Sequence, residues 1–434
     1  MKKTIASLLL GAALFPLATA AQATKSDEEV IQTLYRGSYA YWQQARNENG
    51  SYEDKLFFNG ERSYVGSIAN SGMGLIALTI GHKNGWEPEA EQMTLQTLRM
   101  LAGKDPKISV PQNKTNTYIH FYNTQTGEAV GDDWSPIDSA IMLSGALFAK
   151  RYFSDNKEIA ALADELYRKT DLTDYIANVD KGLIYLAQNH DGSFKEYATK
   201  TYNEYMLVAS IAKQQALDFG PGKNSAPVAF WDKWYATTEN LPIADYDGIP
   251  MLSEGKKWFT SQFNFLFNNY LIHDYSSSEE YQAASVNAAT VDYTWWREQD
   301  IDGLEEYEWG SGAGACPNGY CVDRFHFDGE RQFNINMMVS PHIMAGFIPY
   351  SERAKSNLIA TYRDNSINAR YELQGGYEIL WRYSYDSPEW RANAAEGVDF
   401  STFLFGLAAL PEHLGMEFFN KNNNYFESKP AQKL

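Results

Sequence analysis

The chain has 434 residues and a formal net charge of −18, with 44% hydrophobic and 21% charged residues. The apolar content is enough for a sizeable core and excludes an intrinsically disordered chain. The negative charge disfavours nucleic acid, anionic lipid and polyanionic polysaccharide as partners. A neutral ligand is the better match for such a surface.

The N-terminus has the features of an export signal. Two lysines after Met1 precede an apolar run from Ile5 to Ala20, and Ala21 to Ala23 fits a signal-peptidase site. We predict that residues 1–23 are removed as a signal peptide, that 24–420 form a single domain and that 421–434 are a polar tail. No later apolar run is long enough to span a membrane. We expect a monomer in the periplasm or outside the cell.

The chain has two cysteines, Cys316 and Cys321, with four residues between them in a glycine-rich stretch. In an oxidising compartment such a pair is expected to form a local disulfide. Two free thiols are the alternative.

Helical periodicity and capping patterns alternate with polar loops along the chain. Ser26 to Glu29 is a capping box, and glycine- and alanine-rich segments indicate tightly packed helices. A hairpin is predicted over 181–200, and 300–332 form a long loop of the kind that is usually functional. Helices are predicted near 26–44, 63–81, 87–101, 135–152, 156–169, 202–218, 227–237, 257–271, 278–298, 334–346, 351–364, 399–410 and 411–419.

About a dozen helices with little strand and no linker predict an all-α domain. The favoured architecture is an (α/α)6 toroid, a ring of helical hairpins with long loops at one end. An α-solenoid is the competing architecture, but solenoids usually carry a sequence repeat and this chain has no exact repeat. In a toroid the acidic and aromatic loops would meet at one end.

Three acids stand where a loop enters a helix, namely Asp138, Glu204 and Asp399. Glycosidic cleavage needs one protonated acid for the leaving oxygen and one carboxylate that activates water or attacks carbon. Each acid could instead cap its helix or interact with the helix dipole. Aromatic residues make up 15% of the chain and would suit sugar stacking as well as core packing. The set as a whole favours a carbohydrate-cleaving site.

Other chemistries have weak support in the sequence. The seven histidines show no metal-binding spacing, and Asp300 to Gly303 has only part of a calcium loop. Gly312 and Gly314 follow no predicted strand, and no Gly-x-Ser-x-Gly motif is present. We expect no metal and no cofactor. His120 is either a core histidine or a substrate contact.

Several stretches resemble, in the same order, the glucoamylase-like family of bacterial α/α-toroid proteins, which includes endo-β-1,2-glucanases. The resemblance extends over about 60–410. Its segments are Tyr64 to Trp86, His120 to Gly127, Asp133 to Asp138, Tyr202 to Glu204, Phe259 to Gln262, Trp309 to Gly310 with Gly319 to Tyr320, and Val398 to Asp399.

The resemblance implies an endo-β-1,2-glucanase that inverts the anomeric carbon. Glu204 would be the general acid and Asp399 the base that activates water. Asp138 and Asp133 would bind sugar hydroxyls, and His120 and Gln262 would contact the substrate. Trp134, Tyr202 and Trp309 would supply stacking planes, although a buried Trp134 is equally consistent with the sequence.

Two other functions fit the same fold. A polysaccharide lyase would favour uronic acids and a basic cleft, which the net charge of −18 argues against. A non-catalytic glucan-binding protein would fit if the departures from the family pattern at Pro136 and Ser261 had abolished activity.

Overall fold

Helices form most of the regular structure of the protein. The computed structural model describes residues 25–200, 202–219, 225–254, 258–259, 261–299, 301–326, 334 and 336–426. The predicted signal peptide, 1–23, lies outside these residues. Within them, the fourteen α-helices are α1 Asp27–Ala45, α2 Ile68–Lys83, α3 Ala90–Leu101, α4 Pro136–Tyr152, α5 Lys157–Lys169, α6 Met206–Asp218, α7 Ala226–Trp234, α8 Phe263–Leu271, α9 His273–Ser276, α10 Glu279–Glu298, α11 Pro341–Gly346, α12 Glu352–Arg363, α13 Gly397–Ala408 and α14 Gly415–Asn422.

Six helices, α2, α4, α6, α8, α11 and α13, are buried along most of their length. Contacts join α2 to α4, α4 to α6, α6 to α8, α8 to α11 and α11 to α13, and α13 also contacts α2. Small residues allow these contacts to be very close. A Cβ on Gly145 would lie 2.1 Å from the carbonyl oxygen of Gly72, and one on Gly406 would lie 1.8 Å from that of Ala345. The predicted tight packing of the glycine-rich helices is confirmed.

The remaining long helices flank this buried set and are amphipathic. α1 contacts α12, α13 and α2, while α5 packs on α4 and α3. One face of α5, with Ile159, Leu162, Leu166 and Tyr167 at helical spacing, is buried. The predicted capping box at Ser26 is confirmed. Helices with one apolar face were predicted well because that face alone determines how they pack.

Short antiparallel strands occupy the loops, so the all-α prediction is incomplete. In the described residues they are β1 Lys55–Phe57, β2 Val65–Ser67, β3 Ile119–Asn123, β4 Ala129–Trp134, β5 Ile176–Asn178, β6 Leu183–Tyr185, β7 Ala198–Lys200, β8 Ile243–Tyr246, β9 Ile249–Leu252, β10 Trp258–Phe259, β11 Ala313–Cys316, β12 Gly319–Val322, β13 Phe325–His326, β14 Met338–Val339, β15 Arg370–Leu373, β16 Tyr377–Leu380, β17 Tyr383–Ser384 and β18 Ala394–Glu396. They pair as β1–β18, β2–β3–β4, β5–β6–β7, β8–β9, β10–β13, β11–β12, β14–β17 and β15–β16. The predicted hairpin over 181–200 is present as β6–β7.

Several buried helices begin later than predicted because the preceding residues pair as strands. α2 begins at Ile68 because 65–67 pair with β3. α8 begins at Phe263 because 258–259 pair with β13, and α11 begins at Pro341 because 338–339 pair with β17. The pairing partners lie far away in the sequence, so local helical periodicity could not reveal them.

The C-terminal segment packs beyond the predicted start of the tail at 421. α14 ends at Asn422, and the Asn423 amide donates to the carbonyl oxygen of Tyr270 at 3.3 Å. Phe426 packs near the ring of Tyr167. No helix in the described part of the chain has the length and apolar character needed to cross a membrane.

The contact between α2 and α4 gives a direct test of the packing. We expect Gly145→Ala to destabilise the protein by about 1–3 kcal/mol, because overpacking outweighs the better helix propensity of alanine. Ala161→Leu on the exposed side of α5 is the control and should change the free energy of unfolding little. Denaturant unfolding measures both. A Gly145→Ala variant as stable as the wild type would contradict the close contact.

Candidate active site

The three acids singled out from the sequence lie at the N-terminal ends of buried helices. Asp138 is the third residue of α4, and Asp399 is the third residue of α13. Glu204 lies two residues before α6, in a turn where the Met206 N–H donates to the carbonyl oxygen of Asn203. The prediction that placed Glu204 within the helix is therefore wrong by two residues.

Helix capping does not account for the Asp138 and Asp399 carboxylates. Ser135 caps α4, because its hydroxyl oxygen accepts a hydrogen bond from the Asp138 N–H at 3.3 Å. The Asp138 carboxylate lies 3.7 Å from the imidazole Nδ1 of His120, and Asp138 is buried. No side chain caps α13. These two carboxylates are therefore available for another role.

Glu204 is half-buried in a position that disfavours its charged form. Burial raises the pKa of Glu204 to about 7, and the negative charges of Glu254 and Asp138 add to the rise. Arg324 opposes it, and its guanidinium lies 3.6 Å from the carboxylate of Glu254. A carboxyl group with a pKa near neutrality can hold or release a proton under working conditions.

Asp399 lies deeper than Glu204, with only 2% of its surface exposed. Burial raises the pKa of Asp399 to about 8, and the charge of Glu396 adds to the rise. The Tyr320 hydroxyl donates to Asp399 Oδ2 at 3.0 Å and counteracts part of this rise, as does Arg382. Glu396 accepts a hydrogen bond from the Ala315 N–H at 2.9 Å.

Asp54 interacts electrostatically with both Asp138 and Asp399. Burial raises the pKa of Asp54, with further contributions from Asp138 and Glu53, while Lys55 and His120 act in the opposite direction. The charge of Asp54 in turn raises the pKa of Asp399. The strand pair that joins Lys55 to Glu396 brings Asp54 beside the start of α13, where its carbonyl oxygen accepts from the Gly397 N–H.

These interactions define a continuous set of carboxylates that we call the acid row: Glu204, Asp138, Asp54, Glu396 and Asp399. Each member either acts on the ionisation of another member or is acted on by one, so the row is linked electrostatically from end to end. Its two ends, Glu204 and Asp399, carry raised pKa values. Groups with strongly raised pKa values that lie together are typical of catalytic sites.

The predicted stacking residues are buried instead. Tyr202 and Trp309 are 0% exposed, and Trp134 is 4% exposed. The Tyr202 hydroxyl bonds to that of Tyr275, and the Trp134 ring packs near His190. None of the three presents an accessible ring face in this structure, because each fills the core beside a helix entry. The predicted stacking role is therefore not supported, and the alternative of a buried Trp134 holds.

The other predicted binding residues lie in different environments. Asp133 is exposed and pairs with Lys195. His120 is partly exposed and stacks on Phe121, with ring centroids 3.8 Å apart. Gln262 is fully buried at the start of α8, and its amide atoms have no hydrogen-bond partner among the described residues. Their role in substrate binding stays a prediction.

Two members of the acid row, Asp54 and Glu396, were not assigned to the site from the sequence. Asp54 lies in a segment that reads as an ordinary polar loop, and its position depends on a strand pair more than 300 residues apart. Glu396 had a usable signal, since it lies three residues before Asp399 at the same helix entry. The sequence also contained a signal for Tyr320, because this residue adjoins Cys321 in the predicted disulfide loop.

The predicted disulfide is confirmed. Cys316 and Cys321 are bonded, with their Cα atoms 5.9 Å apart, and the bond closes the β11–β12 hairpin. Within the residues that the structure describes, no group of three or more His, Cys, Asp or Glu side chains is arranged to hold a metal ion.

The burial of Asp399 predicts a pH-dependent cost in stability. Its pKa of about 8 lies above the ordinary value of 3.8, so folding favours the protonated form. That stabilisation is complete below pH 4 and is lost as the pH rises towards 8. Relative to the wild type, Asp399→Asn should therefore become progressively more stable between pH 5 and 8, by up to about 1.4 kcal/mol per pH unit.

Thermal unfolding at several pH values measures this difference, with Asp155→Asn at an exposed turn as the control. The control should track the wild type across the range. A constant difference between Asp399→Asn and the wild type would show that the Asp399 carboxyl titrates normally.

Comparisons with known proteins agree with the helical architecture. No protein-family model and no curated protein sequence matches the chain. An endo-β-1,2-glucanase from Chitinophaga pinensis superposes with a TM-score of 0.75 at 15% identity, covering 92% of this chain and 97% of that one. A candidate glucoamylase from Bacteroides caccae gives a TM-score of 0.73 at 16% identity, covering 92% and 98%.

A β-1,2-glucanase from Parabacteroides distasonis also superposes, with a TM-score of 0.73 at 16% identity, covering 94% of this chain and 59% of that chain. Identities this low establish similarity of fold. The resemblance inferred from the sequence is confirmed at that level: this chain has the fold of solved endo-β-1,2-glucanases and glucoamylase-like bacterial proteins.

Proposed function

We propose that the protein is a glycoside hydrolase that cleaves a neutral β-glucan, with β-1,2-glucan as the substrate. The observation that carries the proposal is the acid row, in which two carboxyls with raised pKa values lie at helix entries of one electrostatic unit. The fold is shared with proteins named as endo-β-1,2-glucanases, which supports the linkage.

The cyclic contacts among the six buried helices support an (α/α)6 toroid as the architecture of the domain. In such a ring the inner helices that run in the same direction begin at the same end. The acids at their N-terminal ends would therefore lie together at that end of the ring. The Cys316–Cys321 disulfide supports an oxidising compartment, and hence a periplasmic or secreted protein after removal of the signal peptide.

In the proposed reaction Glu204 protonates the glycosidic oxygen while Asp399 accepts a proton from the attacking water. The water oxygen bonds to the anomeric carbon on the face opposite the leaving group, so the configuration is inverted. Either proton can pass through a substrate hydroxyl or a second water, so the two acids need not flank the bond directly. Asp138 and His120 would hold sugar hydroxyls between them.

The raised pKa values constrain the active protonation state. Glu204, with a pKa of about 7, must keep its proton, while Asp399, with a pKa of about 8, must lose its own. Because the base has the higher pKa, only a minority of molecules has both groups correctly charged at any pH. The pH profile of kcat/KM should therefore be bell-shaped, with limbs near pH 7 and pH 8.

Product analysis tests the proposed substrate. Linear and cyclic β-1,2-glucans should yield short oligosaccharides, whereas β-1,3- and β-1,4-glucans should remain intact. The first products of cleavage should carry the α-anomeric configuration, as seen by proton NMR. Glu204→Gln and Asp399→Asn should each reduce kcat at least ~10²–10⁴-fold, while Asp155→Asn should not.

A substrate with a good leaving group separates the two roles. The 4-nitrophenyl glycoside of β-1,2-linked glucobiose needs little protonation of its leaving oxygen, so Glu204→Gln should lose much less activity on it than on the polymer. Asp399→Asn should remain inactive on both. Recovery of Asp399→Asn instead would exchange the assigned roles, and cleavage of none of the glucans by the wild type would reject the proposed function.

A further inference from the structure

A second feature of the site is the β11–β12 hairpin, which is closed by the Cys316–Cys321 disulfide and docks against the acid row. Ala315 and Tyr320 are paired across this hairpin. The Ala315 N–H donates to Glu396, and the Tyr320 hydroxyl donates to Asp399. One cross-strand pair therefore supplies a hydrogen-bond donor to each of the two acids at this end of the row.

The backbone of the hairpin is fixed at its other edge. The Arg382 guanidinium donates to the carbonyl oxygen of Gly314 at 2.6 Å and to that of Cys321 at 3.4 Å. Gly314 has φ +133°, and a Cβ there would lie 2.8 Å from Trp381. The hairpin can pack this closely because the residue at the contact, Gly314, has no side chain.

Tyr320 separates Asp399 from solvent. Its residue surface is 52% exposed, whereas Asp399 at the end of its hydroxyl is 2% exposed. The disulfide lies next to Tyr320 in the chain and spans the two-residue turn at 317–318 that joins the strands. Opening the disulfide would therefore loosen the end of the hairpin that carries Tyr320, while the carboxylates of the acid row belong to other elements and stay in place.

We propose that Tyr320 is a positioning residue that holds the Asp399 carboxylate and favours its ionised form, and that the Cys316–Cys321 disulfide is required to keep Tyr320 in place. This inference rests on the proposed function, because it assigns a role to Asp399 in that reaction. It adds a dependence of activity on the redox state of the protein.

Hydrogen-bond donation favours an ionised carboxylate, and Tyr320 is suited to donate without losing its own proton. The Tyr320 hydroxyl lies on the buried Asp399 carboxylate although much of the residue is exposed, and burial at that end together with the negative charge of Asp399 holds the pKa of Tyr320 well above its usual value. The other charged groups that act on Asp399 are Glu396 and Asp54, which oppose its ionisation, and Arg382, which favours it. Removal of the hydroxyl should therefore raise the pKa of Asp399.

Tyr320→Phe tests the inference without altering the core. We expect kcat/KM at pH 7 to fall roughly tenfold, the equivalent of one pKa unit. The limb of the pH profile that reports Asp399 should move to higher pH, so that the deficit relative to the wild type narrows above pH 8. Tyr307→Phe is the matched control, because the Tyr307 hydroxyl makes the same kind of bond to Asp364, which is no member of the acid row.

The disulfide is tested with dithiothreitol, which is oxidised to its cyclic disulfide as the two cysteines become thiols. The reduced wild type and the Cys316→Ser/Cys321→Ser double variant should both show the same displaced pH profile. Tyr320→Phe should be less sensitive to reduction than the wild type, since the contact that reduction releases is already lost.

A measurement that needs no substrate distinguishes a failure of the inference about Tyr320 from a failure of the proposed function. The carboxyl titration of Asp399, followed by ¹³C NMR on aspartate-labelled protein and assigned with Asp399→Asn, should move upward in Tyr320→Phe and stay in place in Tyr307→Phe. An active enzyme in which neither the titration nor the pH profile responds to Tyr320→Phe would overturn the inference and leave the proposed function intact. An inactive wild type in which the titration moves would reject the proposed function and support the contact.

Discussion

The site depends on one buried charge, the guanidinium of Arg382. It is 0% exposed and pairs with Asp323, which is 1% exposed. The same guanidinium donates to two carbonyl oxygens of the β11–β12 hairpin and to the Ser340 hydroxyl at the start of α11. A buried charge is tolerated only when its hydrogen-bonding groups are well satisfied, so these elements are held to a single arrangement. The hairpin that carries Tyr320 to Asp399 is therefore held by the core along its edge as well as by the disulfide across its turn.

The buried carboxylates of the acid row destabilise the folded state at neutral pH, and the packing of the helices offsets that cost. Asp399 and Glu204 are held where burial favours their protonated forms, which is unfavourable for carboxylates at neutral pH. The close helix contacts at Gly145 and Gly406 bury the surrounding apolar residues with little empty space. This division is common in enzymes, where the scaffold supplies stability and the site uses part of it.

The sequence predicted the helices better than it predicted the site. α1 and α5 were predicted nearly to the residue, because a capping box or one apolar face is local information. The starts of α8 and α11 were not, because strands formed with distant segments take up the residues in front of them. Asp138, Glu204 and Asp399 could be found from their place at the entries of apolar helices. Asp54 could not, since only the pairing of β1 with β18 brings it to the row.

The aromatic predictions failed for a different reason. A tryptophan or tyrosine beside an acid has the same sequence pattern whether its ring faces a sugar or fills the core. Trp134 and Trp309 fill the core. Such a residue can stack on a sugar only if its ring is exposed. The exposure of the ring depends on how the loops pack over the ends of the helices. Tyr320, by contrast, is exposed because it stands on a hairpin that projects across the site.

Under the proposed function the acid row is a single saccharide-cleaving site, with the general acid Glu204 and the base Asp399 at its two ends. The most direct measurement is a crystal structure of the Asp399→Asn variant with a linear β-1,2-linked gluco-oligosaccharide. We expect one glycosidic oxygen within hydrogen-bonding reach of Glu204, directly or through one hydroxyl or water, and the adjoining anomeric carbon open to a water beside Asn at position 399. A saccharide bound in a single ordered pose that contacts neither end of the row would contradict the account.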